Sequence, residues 1–467
     1  MIKKQIKFQD DQEHSNSWKR EPNKNTLIKL IILAGLISVT AYGCSQLPAQ
    51  VQELLFPEAP TSQTDLPVFE TLTPTPENVA DQSTSTPTGP QILTIWVPPQ
   101  FDPENDTPAG KLLQERIKTF SVENPGAEVR VRVKAATGNS GLLNSLSAAS
   151  TALEPSALPA LVALTRPEME AAALKGLVFP MDELTSVIDD PDWYNYAKEL
   201  ALIQGSTFGA PFAGDAFFLI YRPAKIGANP TGWQDILSRG QPLAFPANDT
   251  NGLVTLALYL SAGGTIVDSQ NRLVLEPQTL TEVLTLYYEG AKQGAFPGWL
   301  SQYQTDTQVW QAYQDQSANW AITWSSRYLI DLPVDTTAIA LPPLETETIT
   351  IANGWMWTLT DPVPERRDLS ASLAKYLTDS DFLSEWVPEV GYLPTRPSVL
   401  AAWQDQTLRS LIGQTVVSAR IQPNEELLEV IGPILRDATL DVIERQIDPA
   451  QAAQAAQQRL NPIEPEP

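Results

Sequence analysis

Residues 206–225, STFGAPFAGDAFFLIYRPAK, constrain this chain more than any other stretch. A Gly/Pro-rich turn leads into the apolar run 217–221, which has the length of one buried strand and is stopped by Pro223. The pattern predicts a strand that leaves one folded body and enters another. Asp215, between Gly214 and Ala216, sits where it crosses. A carboxylate at such a junction lies where clefts form. The plainer reading of the same residues is a buried strand with a turn aspartate in front of it.

Composition removes several functions. Among 467 residues, 55 are acidic and 31 basic, a balance that argues against binding a nucleic-acid backbone. The one histidine, His14, and the one cysteine, Cys44, lie before any globular pattern begins. A chain cut before Cys44 therefore folds without histidine or free thiol. That excludes Ser-His-Asp and Cys-His catalysis, His/Cys zinc sites and disulfides. The loop DPENDTP (Asp102, Glu104, Asn105, Asp106) lacks the glycine turn and distal glutamate of a calcium loop and reads as helix capping. No metal and no cofactor is expected.

The N-terminus reads as an address. Residues 1–29 carry seven basic against four acidic side chains, and the apolar run 30–42 is too short to span a bilayer but suits a signal sequence. Ala41-Tyr42-Gly43-Cys44 resembles a bacterial lipoprotein cleavage box, which implies a signal peptide over 1–43, a lipid on Cys44 and a body facing outside the membrane. An uncleaved anchor is the alternative. Residues 44–90, rich in Pro, Thr and Ser, form an expected disordered tether.

Beyond residue 91 the pattern is α/β. A strand over 92–97 precedes a helix from about Ala109 with Leu113, Ile117 and Phe120 on one face, which Asn124-Pro125-Gly126 ends before an alternating strand over 128–134. Residues 159–164 form a further short strand, and Thr165 and Arg166 stand at its carboxyl end, where open α/β sheets place ligands. A turn and strand are expected over 268–275, and helices over 277–293 and from Asp448-Pro449 onward.

Several of these segments, in this order, resemble the extracellular solute-binding proteins of ABC importers, the class that includes maltose-binding protein. They are F-x-x-E-N-P-G at 120–126, G-x-P with Leu219-Ile220-Tyr221, residues 316–328 (QSANWAITWSSRY), Asn353-Gly354-Trp355 and Gly391-Tyr392-Leu393-Pro394-Thr395-Arg396. The resemblance covers about residues 92–460. It implies a two-lobe periplasmic-binding-protein-like fold (type II), with a cleft between lobes joined by hinge crossovers. The expected limits are 91–213 with 345–402 for lobe 1, 214–344 with 403–460 for lobe 2, and a tail over 461–467.

The resemblance also implies a monomeric receptor that captures a mono- or oligosaccharide and passes it to ABC permease subunits. Its aromatic residues suit sugars, which offer an apolar C–H face and a rim of hydroxyls. Asp215 and Tyr328 fall at the positions of an acidic hydroxyl acceptor and a stacking ring, and Trp355, Trp324, Trp96, Tyr392, Arg327, Arg396, Thr165 and Arg166 complete the expected site. Trp233 and Trp357 are expected in the core. A polyamine or other small polar solute, and a ligand sensor without a transporter, are alternatives. A glycosidase would need a second placed carboxylate, which no motif marks.

Overall fold

Two long strands carry the architecture. In the computed structural model, which describes residues 90–152, 157–345 and 347–460, β1 (Gln91–Val97), β2 (Ala127–Val133) and β3 (Leu161–Thr165) form a parallel set with β1 in the middle. β4 (Gly209–Tyr221), β5 (Leu243–Ala244), β6 (Trp320–Trp324), β7 (Thr337–Ile339), β8 (Thr350–Leu359) and β9 (Ala419–Ile421) complete nine strands in the order β2-β1-β3-β8-β4-β6-β5, with β9 on β8 and β7 on β4. The leader, Cys44, most of the tether and the tail lie outside the described residues.

β4 changes partner in mid-strand. Gly209 to Ala216 pair with β8, whereas Phe217 to Tyr221 pair with β6. β8 is shared likewise: Trp355 to Leu359 lie against β3, and Thr350 to Ala352 lie against β9. One crossover strand thus belongs to two lobes, as its sequence predicts. Its buried run Phe217–Phe218–Leu219–Ile220–Tyr221 is the part that enters the second lobe. Pro211 is tolerated because the β4–β8 register slips beside it, between Trp355 and Met356.

Helices cover the sheet where their apolar spacing directs. α1 (Pro108–Glu123) starts with the Thr107 hydroxyl accepting from the Gly110 amide at 3.0 Å and buries Leu113, Ile117 and Phe120. α2 (Arg166–Leu174) and α3 (Asn195–Ala201) follow β3. In the second lobe, α4 (Pro277–Gln293) buries Leu280, Val283, Leu284 and Tyr287 and ends at Gly294, in the left-handed region at φ +82°. α5 (Ser325–Asp331) follows β6 directly, and α6 (Ser380–Val390) packs with α1. α7 (Gln406–Ser418), α8 (Glu425–Ile443) and α9 (Pro449–Leu460) close the described chain, with α8 and α9 against α4. Trp233 and Trp357 are core residues, as expected.

The strand expected over 268–275 does not form. Only an isolated bridge joins Val267 to Leu273, because the Asp268 carboxylate accepts from the Gln270 and Arg272 amides and pairs with the Arg272 guanidinium at 2.7 Å. This local turn satisfies the backbone in place of a ladder.

Two glycines let a helix press on the crossing strands. Gly214 and Gly354 face each other in the β4–β8 register. A methyl on Gly214 would lie 2.1 Å from the Tyr196 hydroxyl of α3, which donates to the Pro394 carbonyl at 2.7 Å. Overpacking of this kind costs about 1–3 kcal/mol. Gly214→Ala should lower stability by about that amount, read as a shift in the urea midpoint. Adding Tyr196→Phe should recover part of the loss. An unchanged midpoint for Gly214→Ala would contradict the close approach.

Candidate functional site

Asp215 is held at the crossover by the helix that follows β6. Its Oδ1 accepts from the Ser325 hydroxyl at 2.7 Å, the Ser326 amide at 3.0 Å and the Ala216 amide at 3.1 Å. Its Oδ2 accepts from the Ser326 hydroxyl at 2.6 Å. A carboxylate from the crossover strand therefore caps the N-terminus of α5, where amide donors are otherwise unpaired. Burial raises its pKa to about 6; the serine hydrogen bonds oppose that rise, and the nearby Asp306 carboxylate adds to it.

Strand register gathers the rest. Asp215 lies opposite Asn353, and Trp355, two residues on, lies opposite Thr165. Alternation puts the side chains of Asp215, Asn353 and Trp355 on one face of the sheet. Phe101, in the turn after β1, meets the Trp355 ring edge-on at 5.4 Å and the Tyr392 ring at 5.5 Å. The Tyr392 hydroxyl lies close to the side chains of Gln100 and Trp355; its pKa is pushed well up, first by burial and then by the Asp215 charge. Asp215, Trp355, Tyr392, Phe101 and Gln100 therefore form one cluster, with Thr165 beside it.

Trp324, Arg327 and Tyr328 stand at the end of β6 and on α5. Trp324 lies on Phe217 at 4.3 Å, and Tyr328 meets Phe218 at 6.2 Å; both rings are half-buried. Arg327 donates to Asp306 at 3.0 Å and to the Thr307 hydroxyl at 2.8 Å. Asp306 also accepts from the Thr323 hydroxyl and the Trp324 amide, so it fixes the turn from β6 into α5. Adjacent to these residues is an open cavity of about 1330 Å³ between α1, α6, α5 and the start of α7. Its lining includes Leu329, Trp403 and the carboxylates of Glu115, Glu385, Glu389 and Asp405.

Three expected residues stand apart. Arg166 pairs with Glu170 at 2.7 Å and donates to the carbonyls of Glu199, Leu200 and Leu202, closing the C-terminal end of α3. Arg396 stacks 3.7 Å from the Trp193 ring centroid, pairs with Asp190 at 2.8 Å and donates to the Thr378 carbonyl. Trp96 is 3% exposed, with the Lys134 ammonium over its ring at 5.0 Å. Thr165 stays by the cluster, but its hydroxyl donates to Glu168 in a capping box that starts α2. Ser325, Ser326, Asp306 and Gln100 were not signalled as site residues. The Ser-Ser pair between an apolar strand and a helical pattern is the one cue that points to them.

No group of three or more His, Cys, Asp or Glu that could hold a metal ion occurs among the described residues, and none of their helices is long and apolar enough to cross a membrane.

Because native Asp215 keeps its proton to higher pH than the unfolded chain, folding takes up a proton between about pH 4 and pH 6. The contribution is present at low pH and lost as pH rises through that window. Measured by urea unfolding, the wild type should lose about 2 kcal/mol relative to Asp215→Asn between about pH 4 and pH 7. Parallel pH profiles for the two proteins would contradict the raised pKa.

A family model described as bacterial extracellular solute-binding protein matches residues 115–409. No curated protein matches the chain by sequence. Among solved structures, the cyclic alpha-maltosyl-1,6-maltose binding protein of Arthrobacter globiformis is similar at TM-score 0.64 and 18% identity, over 80% of this chain and 98% of that one. The sugar-binding protein MalE of Xanthomonas citri gives TM-score 0.64 and 18% identity over 79% and 96%. A Thermotoga lettingae ABC transporter solute-binding protein, solved with alpha-D-tagatose, gives 0.58 and 20% over 79% and 99%. At these identities the likeness concerns the fold.

Proposed function

Since the chain belongs to the bacterial extracellular solute-binding proteins, we propose that it captures a carbohydrate between its lobes and delivers it to an ABC permease. The observation that carries this reading is the cluster of Trp355, Tyr392 and Phe101 around the Asp215 carboxylate at the crossover. Flat rings suit the C–H face of a sugar, and a carboxylate with an open lone pair accepts from a hydroxyl. The structural neighbours whose names include maltose, cyclic maltosyl-maltose and tagatose support the same choice.

Trp355 and Tyr392 are assigned to the first lobe's side of the cleft, Trp324, Arg327 and Tyr328 to the second, and Asp215 to the crossover that joins them. Thr165 borders the cluster. Arg166, Arg396 and Trp96 act behind it by holding helix ends and core. The lobe limits are 91–213 with 345–402 and 214–344 with 403–460; the change of β4 partner after Ala216 supports them. The protein works as a monomer, performs no catalysis, and is anchored outside the cell through lipid on Cys44.

One observation favours a second reading. The cavity beside the cleft carries Glu115, Asp381, Glu385, Glu389 and Asp405 against Lys111 alone. That field attracts cations, so a polyamine is the competing ligand.

A thermal-shift screen of mono- and oligosaccharides, amino acids and polyamines separates the two. A ligand at 100 times its dissociation constant stabilises by about 2.7 kcal/mol, which is readily detected. A saccharide hit is expected, with Trp355→Ala and Asp215→Ala each weakening it about tenfold or more by calorimetry. Polyamine stabilisation without any sugar response would replace the carbohydrate reading. Mass spectrometry of the membrane-extracted chain should show an acylated Cys44 as its first residue; an intact Met1 would refute the anchor.

A further inference from the structure

Helix α6 ends at Gly391, whose backbone is left-handed at φ +74°, one residue before Tyr392 of the cluster. A methyl built on Gly391 would stand 2.7 Å from Ile330 Cγ1, 2.9 Å from the Ile330 amide nitrogen and 3.0 Å from its Cα. The two residues belong to opposite sides of the crossover. Gly391 closes α6, which packs with α1, and Leu393 just beyond it bridges Gly214 of β4. Ile330 lies in α5, which packs on the half of β4 that enters the second lobe, with Tyr328 on Phe218. The lobes therefore meet here backbone against backbone.

We propose that Gly391 is a positioning residue for closure of the cleft, its missing side chain allowing α5 to reach the end of α6. Helix α5 is pinned at its N-terminus by the bonds from Ser325 and Ser326 to Asp215, and it is stopped at Ile330 by Gly391. Two fixed points set its angle to the first lobe, and with it the separation of Tyr328 and Arg327 from Tyr392 and Trp355. A Cβ at position 391 meets helix backbone, which cannot swing aside as a side-chain tip does, so the lobes must part. The closed population falls, and apparent affinity falls with it in proportion. This claim goes beyond the carbohydrate reading and does not rest on the identity of the solute.

A left-handed helix end alone would also select glycine. Gly294 separates the two explanations. It ends α4 at φ +82°, and the nearest atom to a methyl there is the Gly240 carbonyl oxygen at 3.9 Å. Both alanine variants carry the same backbone strain, and one alone carries the wedge.

The test uses the full chain with Cys44→Ser and nitroxide labels at Val334→Cys and Lys118→Cys, exposed positions on opposite lobes. Pulsed dipolar spectroscopy reads the distance between them, and thermal melting confirms folding. The parent should show a short-distance population. Gly391→Ala should lose it, and so should Gly391→Asn, since asparagine tolerates left-handed backbone but still carries a Cβ. Gly294→Ala should keep it, and Ile330→Ala added to Gly391→Ala should restore part of it. The inference is overturned if Gly391→Asn retains the short distance, if Gly294→Ala loses it equally, or if the parent never shows it. Failure of every sugar to bind would overturn the carbohydrate reading and leave these distances unaffected.

Discussion

The pairing of β4 with β8 is the constraint on which the rest of the structure depends. Each strand has its other edge occupied by different neighbours along its length, so each is bonded into two lobes at once. Backbone hydrogen bonds buried on both sides are costly to break, which holds the crossover together. The glycine pair Gly214 and Gly354 sits in this ladder, with α3 pressed against it from the first lobe. Bulk is excluded just before β4 exchanges β8 for β6, between Ala216 and Phe217. Two ladders thus flank a short segment where partners change.

Asp215 is placed on that segment, and its surroundings explain why an acid is tolerated there. An unpaired buried carboxylate would protonate or force the lobes apart. Here two serine hydroxyls and an α5 amide satisfy it, and the N-terminus of the helix offers positive partial charge. Burial and the Asp306 charge still raise its pKa to about 6, so the compensation is incomplete. The group thus remains able to gain from one more donor, which is the condition a ligand hydroxyl meets.

Much of this was legible in residues whose meaning is local. The alternation of half-buried Val129 and Val131 with exposed Arg130 and Arg132, the spacing of Leu280, Leu284 and Tyr287, and the run 217–221 located elements because periodicity reflects burial in a strand or helix. The segment 268–275 misled because an aspartate can satisfy backbone amides itself, a competition that hydrophobic spacing does not register. Arg166 and Arg396 are placed by contacts of a different kind. Each follows a strand or motif end where ligands bind, but whether a guanidinium faces a cleft or a row of helix carbonyls depends on where α3 or the 190–193 turn comes to rest. Such choices are tertiary and leave no spacing behind. Ser325 and Ser326 were hidden similarly, since serine is common at helix starts and the carboxylate it meets lies 110 residues earlier in the chain.

The two oxygens of Asp215 divide between anchoring and the role proposed for this carboxylate. Oδ1 accepts from Ser325, from the Ser326 amide and from the Ala216 amide, and is fully committed to the fold. Oδ2 accepts from the Ser326 hydroxyl alone, which leaves it a further lone pair. That oxygen belongs to a carboxyl whose charge also reaches the Tyr392 hydroxyl, itself close to Trp355. A donor delivered to Oδ2 would therefore touch, through three side chains, both strands that cross between the lobes and the helix that faces them. Under the proposed function, binding energy gained at this point would act where β4 passes from one lobe to the other, so a small solute would bias the relative placement of bodies far larger than itself.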